Sequence, residues 1–243
     1  MSDALANPRR RLRRVVLTPN ACLRIEATLG EGAIAALPLA AEVADPRRFP
    51  APLDPGSVHQ GAALEAEPLD WGPLDQLCDP AAAPEPGAPA TVIALDRVTD
   101  PHNVGAILRS AEVFGARAVI APRHHAAPES GALAKAASGA LERQPYVRPV
   151  NLGDALVRLQ GMGYLVAGLD GDATLALPAL AAEARDRPLV LVLGAEGPGL
   201  RARTRAICDR LVRIEAASGF ASLNVSNAAA IALYAATARN RGI

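Results

Sequence analysis

Three polar, glycine-bearing segments hold most of the residues able to do chemistry. The first runs from Asp96 through Arg97, Thr99, Asp100, His102 and Asn103 to Gly105, and continues to Arg109. Asp100 or Asn103 can cap a helix, because a short polar side chain accepts from the free N–H groups of a first turn. Capping does not account for Arg109, which stands beside Ile107, Leu108 and Ala111. A guanidinium among such neighbours either snorkels to water or is directed at an anion. The second segment is Gly194-Ala195-Glu196-Gly197-Pro198-Gly199-Leu200. Its glycines permit positive φ and close backbone approach. It lacks both the Gly-Xaa-Gly-Xaa-Xaa-Gly spacing of a dinucleotide loop and the Gly-Lys-Ser/Thr of a phosphate loop. Glu196 would repel a phosphate, so this loop suits a neutral or cationic ligand. The third segment, Ser218 to Asn227, carries Ser222, Asn224, Ser226 and Asn227, more polar groups than one N-cap uses.

The elements that must position these segments alternate in type. Thr91–Leu95, Ala118–Ala121, Tyr164–Leu169, Leu189–Leu193 and Leu211–Ile214 are short apolar runs that read as strands. Helical spacing is found over Val104–Phe114, Leu133–Ala140, Leu152–Leu159, Leu200–Cys208 and Val225–Arg239. Strands alternating with helices, and apolar on both faces, predict an α/β fold with a mostly parallel sheet and helices on both faces. Ligands of such a sheet bind beyond the carboxyl ends of its strands, where all three segments fall. The last helix is apolar nearly all round, which predicts burial on several sides.

Four prolines within residues 79–89 predict an extended Pro/Ala linker. The expected organisation is therefore a small α/β domain over 1–78, the linker over 79–89, and a larger domain over 90–243. In the small domain, Val15–Leu17 reads as a strand, 21–29 as a helix, and Val58-His59-Gln60-Gly61 and its neighbours as a second strand before a turn.

Composition excludes several classes. No apolar run approaches the ~20 residues of a membrane span, and the N-terminus leads into arginines rather than an apolar signal core. Cys22, Cys78 and Cys208 are far apart, which predicts a reducing, cytoplasmic setting. His124-His125 is the one adjacent histidine pair, and neighbouring side chains of an extended segment point apart, so no metal site is expected. The formal net charge of zero hides an asymmetry. Residues 1–88 carry eight basic and twelve acidic side chains, and residues 89–243 carry seventeen and thirteen. All but one of the cations are arginines, clustered at Arg9–Arg14 and Arg201–Arg213. Such clusters suit phosphate, though each also reads as a solvated face.

Taken in order, LDRVTDPHNVGAILR (Leu95–Arg109), LVLGAEGPGL (Leu191–Leu200) and SLNVSNAAAIALY (Ser222–Tyr234) closely resemble the three motifs of the SpoU family of RNA 2′-O-ribose methyltransferases, within the SPOUT class. Ala4–Ala21 and Val58–Gly61 are similar, more weakly, to the N-terminal domain of the branch that methylates a guanosine ribose of 23S ribosomal RNA. Against that branch the chain begins inside the first helix, which implies an RNA-substrate-binding domain without its first strand. In the third motif, Asn227 and Ala230 stand where the family more often has small residues or Gly.

The resemblance implies a C-terminal trefoil knot, a homodimer through the first and last helices of the large domain, and S-adenosyl-L-methionine as cofactor, with no metal. It implies main-chain cofactor contacts around Gly194, Ile214 and Leu223. It makes Asn103, Arg109, Glu196, Ser222 and Asn224 the catalytic set. A guanidinium holds its proton too firmly to act as a base, so the role expected for Arg109 is to hold a phosphate and stabilise the developing alkoxide. A tRNA 2′-O-methyltransferase and a non-catalytic RNA-binding or ribosome-assembly factor are the other readings on the same fold. A nucleotide-binding oxidoreductase is disfavoured by the glycine spacing.

Overall fold

The computed structural model describes residues 1–50, 59–82, 90–215 and 223–241. The chain divides into two units, Met1–Asp70 and Trp71–Ile243.

The first unit comprises α1 (Ser2–Ala6), β1 (Leu12–Leu17), α2 (Pro19–Leu29), β2 (Glu42–Val43) and β3 (Ala62–Ala66). The sheet order is β2-β1-β3, with β1 parallel to β2 and antiparallel to β3. Val15, Leu17, Ala21 and Ile25 form its core, between β1 and one face of α2. Pro19 opens α2, where a missing N–H costs nothing, and Thr18 caps it by accepting from Ala21 N–H. The strand expected at Val58–Gly61 instead starts at Ala62. Residues 60–61 form a turn, Val58 lies outside the described residues, and Gly61 takes φ +78° with its carbonyl accepting from Thr18 N–H at 2.8 Å. A Cβ at Gly61 would run into the Thr18 side chain, so this turn requires glycine.

The second unit opens with α3 (Leu74–Leu77) and a 3₁₀ turn at Pro80–Ala82. Its boundary thus precedes the proline-rich segment expected to mark it. Leu74, Leu77 and the fully buried Cys78 pack into the core of the larger unit, which explains why residues 71–78 join it. Within the expected linker, residues 83–89 lie outside the described residues.

There follow β4 (Thr91–Asp96), α4 (Pro101–Val113), β5 (Ala118–Ile120), α5 (Gly131–Ala137), β6 (Tyr146–Val147), α6 (Leu152–Gly161), β7 (Leu165–Leu169), β8 (Leu175–Ala176), α7 (Leu177–Glu183), β9 (Leu189–Gly194), α8 (Ala202–Ile207), β10 (Arg210–Arg213) and α9 (Val225–Arg241). The seven strands lie in the order β6-β5-β4-β9-β7-β10-β8 and pair in parallel throughout. Alternate strand residues face two cores. Ile93, Leu95 and Leu191 meet α4, α5, α7 and α9, whereas Val92, Ala94 and Val190 meet α6 and α8. Continuous apolar strands are what this double burial demands.

The chain steps outward from β4 through β5 to β6, then crosses over, and β9 inserts beside β4. The carboxyl ends of β4 and β9 therefore flank the point where the strand order reverses, the usual ligand crevice of an open α/β sheet. Close packing holds this region. A Cβ on Gly105 would lie 2.5 Å from the Ala136 Cβ and 2.8 Å from backbone, so glycine lets α4 rest against α5. On α9, Ala229, Ala232, Leu233 and Ala236 are buried, while Ile231 and Tyr234 are exposed. Exposure over 225–237 is confined to one stripe, Asn227, Ile231 and Tyr234, while the rest of the helix packs against α4, α7 and β9. No helix among the described residues is long and apolar enough to cross a membrane.

Candidate functional site

Each of the three segments reaches the same edge of the sheet. Asp100 caps α4 by accepting from His102 N–H at 3.0 Å, which places Asn103 in the first turn. Glu196 stands in the turn after β9, closed by a bridge between Ala195 and Gly199. Gly197 and Gly199 take φ +82° and +65° there. A Cβ on Gly194 would collide with the Gly199 carbonyl and the Leu200 amide nitrogen, so only glycine lets the turn fold back on its strand. Asn224 precedes α9, and its Oδ1 accepts from Ser226 N–H at 2.9 Å and Asn227 N–H at 3.4 Å.

These three side chains meet. Glu196 Oε1 accepts from Asn224 Nδ2 at 2.7 Å, from Asn103 Nδ2 at 3.4 Å and from Val225 N–H at 3.3 Å. Asn224 Nδ2 also donates to Asn103 Oδ1 at 2.9 Å. One carboxylate oxygen thus ties the first turn of α4 and the start of α9 to the glycine loop. Ser222, the remaining polar residue of the expected set, lies outside the described residues.

Beside this cluster is a cleft of about 540 Å³. Gly194, Ile214 and Leu223, which the family resemblance implies as main-chain cofactor positions, all line it. So do Leu169, Leu193, Val212, Val225 and Ile231, together with the carboxylates Asp170, Glu196 and Glu215. The strand-end loop at Leu169–Gly171 is a contributor that the motifs do not announce. The signal available is a glycine and two acids right after an apolar strand. Asp170 is ion-paired with Arg205, which fixes it at the rim.

Arg109 does not join the cluster. Helical periodicity carries it to another side of α4, with Ile107, Leu108 and Ala111 buried and Arg109 itself exposed. Its guanidinium has no hydrogen bond or ion pair among the described residues. One turn further along α4, Val113 is 77% exposed, and on α9 Tyr234 is 61% exposed with its ring edge-on to Phe114 at 6.2 Å.

The first residue of the first segment has a partner that the sequence reading does not foresee. Asp96, at the end of β4, is fully buried. It accepts from Arg201 N–H at 3.0 Å and from Arg201 Nε at 2.6 Å, which anchors the entrance of α8 beneath the glycine loop. Nothing local marks this pair, whose members are 105 residues apart. No group of histidine, cysteine and carboxylate side chains suited to a metal ion occurs among the described residues.

This arrangement accords with what the chain resembles elsewhere. The model of the SpoU rRNA Methylase family matches residues 90–234. The 23S rRNA (guanosine-2'-O-)-methyltransferase RlmB of a Burkholderia species is 50% identical over 145 residues, which span 60% of this chain and 58% of that protein. The RlmB of Pseudomonas syringae pv. tomato is 41% identical over 182 residues, spanning 74% of this chain and 70% of the relative. Among solved structures, the SpoU methyltransferase AviRb of Streptomyces viridochromogenes superposes with a TM-score of 0.78 at 22% identity, over 99% of this chain and 87% of that one, a likeness of fold. An AdoMet-bound rRNA methyltransferase from Sinorhizobium meliloti gives a TM-score of 0.73 at 25% identity, over 96% and 82%. On the family model and these relatives, the chain belongs to the SpoU rRNA methylase family.

Proposed function

We propose that the protein methylates the 2′-OH of a guanosine ribose in large-subunit ribosomal RNA, using S-adenosyl-L-methionine. The observation that carries this reading is the meeting of Asn103, Glu196 and Asn224 beside the cleft lined by Gly194, Ile214 and Leu223. The names of the relatives point to the same substrate.

The cleft fits the cofactor on its own chemistry. Its volume falls within the ~300–1,000 Å³ usual for small-molecule sites. Apolar walls suit an adenosine, and the glycines at 194, 197 and 199 leave main-chain groups open to it. Asp170, Glu196 and Glu215 give the site the negative character that a cationic ligand needs. When bound, the cofactor supplies a methyl group on a sulfonium cation. The chain's residues do the rest. Glu196 and Asn224 hold the glycine loop against α9, and Asn103 extends that contact to α4. Ser222 is assigned to the same positioning set from its place in the third motif. Arg109 holds a phosphate beside the reacting ribose and stabilises the alkoxide that forms there.

The assembly that this reading requires is a homodimer. Exposed Val113 and Tyr234, on α4 and α9, give that face an apolar character suited to a second copy, and two-fold pairing is the commonest closed symmetry. Across such an interface Arg109 serves the partner's site. The trefoil knot belongs to the same proposal, supported by α9 packing against α4, α7 and β9. So does a cytoplasmic location, supported by free Cys22, Cys78 and Cys208. The small unit is assigned to binding the RNA substrate.

The deciding experiment maps 2′-O-methyl groups on ribosomal and transfer RNA with and without the gene. Loss of one guanosine methyl in 23S RNA is expected. Loss of a transfer-RNA methyl alone would give the protein the other substrate, and an unchanged map would make it a non-catalytic factor.

A further inference from the structure

The carboxyl edge of the large sheet carries both charges on the side of β9, β7 and β10, where Arg205 pairs with Asp170 and Arg213 ends β10, and mostly basic groups on the other side. On the side of β9, β7 and β10 the cleft carries Asp170, Glu196 and Glu215. On the side of β4, β5 and β6 the loops carry Arg97, Arg123, His124, His125 and Arg148, and the first turn of α4 carries His102. All six lie beyond the ends of parallel neighbouring strands, so they share one edge. Arg97, His102, Arg123, His124 and His125 are exposed. None of the three arginines has a carboxylate partner among the described residues. The nearby acids are Asp96, Asp100 and the half-buried Glu129, which follows Ala127 by two residues. Asp96 is buried against Arg201, and Asp100 caps α4.

These loops form a fixed shelf. Ala127 N–H donates to the Val98 carbonyl at 3.4 Å, joining the loops after β4 and β5, and both residues are buried. The Tyr146 hydroxyl donates to the Ala127 carbonyl at 2.8 Å, which adds β6. Arg123 N–H donates to the Pro149 carbonyl at 2.8 Å, and Arg148 Nη2 returns to the Arg123 carbonyl at 2.6 Å. The bonding holds Arg97 at φ +64° and His125 at φ +59°, conformations that side-chain-bearing residues seldom adopt. Strain of this kind persists where the surrounding structure over-determines the backbone, and it concentrates at functional sites.

We infer that this shelf is the track for the RNA strand flanking the reacting nucleotide, with phosphates lying across the loops after β4, β5 and β6. The inference rests on the methyltransferase reading and adds to it where the strand runs. His102 adjoins Asn103 of the polar cluster, so the track leads to the site from the side opposite the cofactor cleft. Arginine forks match phosphate oxygens, and exposed imidazoles stack on unpaired bases. Asp100, whose side chain caps α4, is the one exposed acid of these loops among the described residues, against Arg97, Arg123 and three exposed imidazoles.

The test uses the full chain with unmodified, in vitro transcribed 23S ribosomal RNA. Arg97→Gly removes a cation and tolerates the positive φ, Arg123→Ala removes another, and the pair is combined with His124→Ala and His125→Ala. The combined variant is expected to bind RNA ~10-fold or more weakly, since its hold on the strand is mainly electrostatic. The slope of log affinity against log salt should fall by ~0.7 for each phosphate no longer neutralised. The effect should appear in KM for RNA rather than kcat, with cofactor affinity held. Arg123→Lys should restore much of the binding, which separates charge from folding. Unchanged RNA affinity and salt slope in the combined variant overturn the shelf, as does loss of binding to a ribosomal protein instead of RNA. A wild-type protein that methylates no RNA, yet loses salt-dependent RNA binding in the combined variant, supports the shelf and removes the methylation reading.

Discussion

The Asn224 amide donates to Glu196 Oε1 at 2.7 Å while its own oxygen accepts from the first N–H groups of α9. One side chain thus closes the glycine loop and starts the helix. The two roles separate by substitution. Asn224→Asp keeps the capping oxygen but sets a second carboxylate against Glu196. Its thermal stability should stay close to wild type, while methyl transfer falls ~10–100-fold, equivalent to ~1.4–2.8 kcal/mol of barrier. Asn224→Ala should lose both. Calorimetric melting beside single-turnover assays distinguishes these outcomes, and an active Asn224→Asp enzyme would remove the Glu196 hydrogen bond from the mechanism.

Arg109→Ala should lower turnover by ~10²–10³ with cofactor binding intact, since it removes charge stabilisation from the transition state. Mixing Arg109→Ala with Glu196→Ala subunits tests where Arg109 acts. If it serves the partner, one site of the mixed dimer carries both lesions and the other none, so activity returns in part. A fully active monomer in sedimentation at micromolar concentration would refute the interface.

Gly194→Val and Gly199→Val should both weaken cofactor binding. In the first, the side chain collides with the Gly199 carbonyl. In the second, a branched residue must adopt φ +65°. Titration calorimetry giving wild-type affinity in both variants would place the cofactor elsewhere.

Asp96→Ala leaves the Arg201 N–H and guanidinium without their buried acceptor. Removing a partner of this kind costs ~1–3 kcal/mol, with Arg201 itself still 45% exposed to water. Urea unfolding should show that destabilisation, and a change below ~0.5 kcal/mol would mean that α8 is anchored by other interactions.

Alkaline pH should destabilise the fold. Burial pushes the Cys78 and Cys208 thiols up to about 12 from an ordinary 9.0. An unfolded chain releases those protons near pH 9, whereas the folded chain keeps them. Unfolding is therefore favoured progressively as pH rises from 9 towards 12. Iodoacetamide at pH 8.5 should label Cys22 first, read by mass spectrometry. Rapid labelling of Cys78 in native protein would contradict its burial.

The sequence by itself determined the parallel α/β core, because strands buried on both faces must be apolar throughout, as Val92–Leu95 and Leu189–Leu193 are. The resemblance of its three motifs marked Asn103, Glu196 and Asn224 as one set, and the third segment holds more polar groups than one N-cap uses. Short elements left no periodic trace. The two-residue strands β2 and β8 were not legible, and Leu74, Leu77 and Cys78, interrupted by Asp75 and Gln76, gave no sign that they join the larger core. Tertiary structure alone decided that β9 inserts beside β4, which brings Glu196 to Asn103 across 93 residues and Asp96 to Arg201 across 105. It alone turned Arg109 away from its apolar neighbours in sequence and onto an exposed side of α4. The reason is physical: composition and spacing record which residues must be buried, but only the order of strands in a sheet decides which loops share an edge.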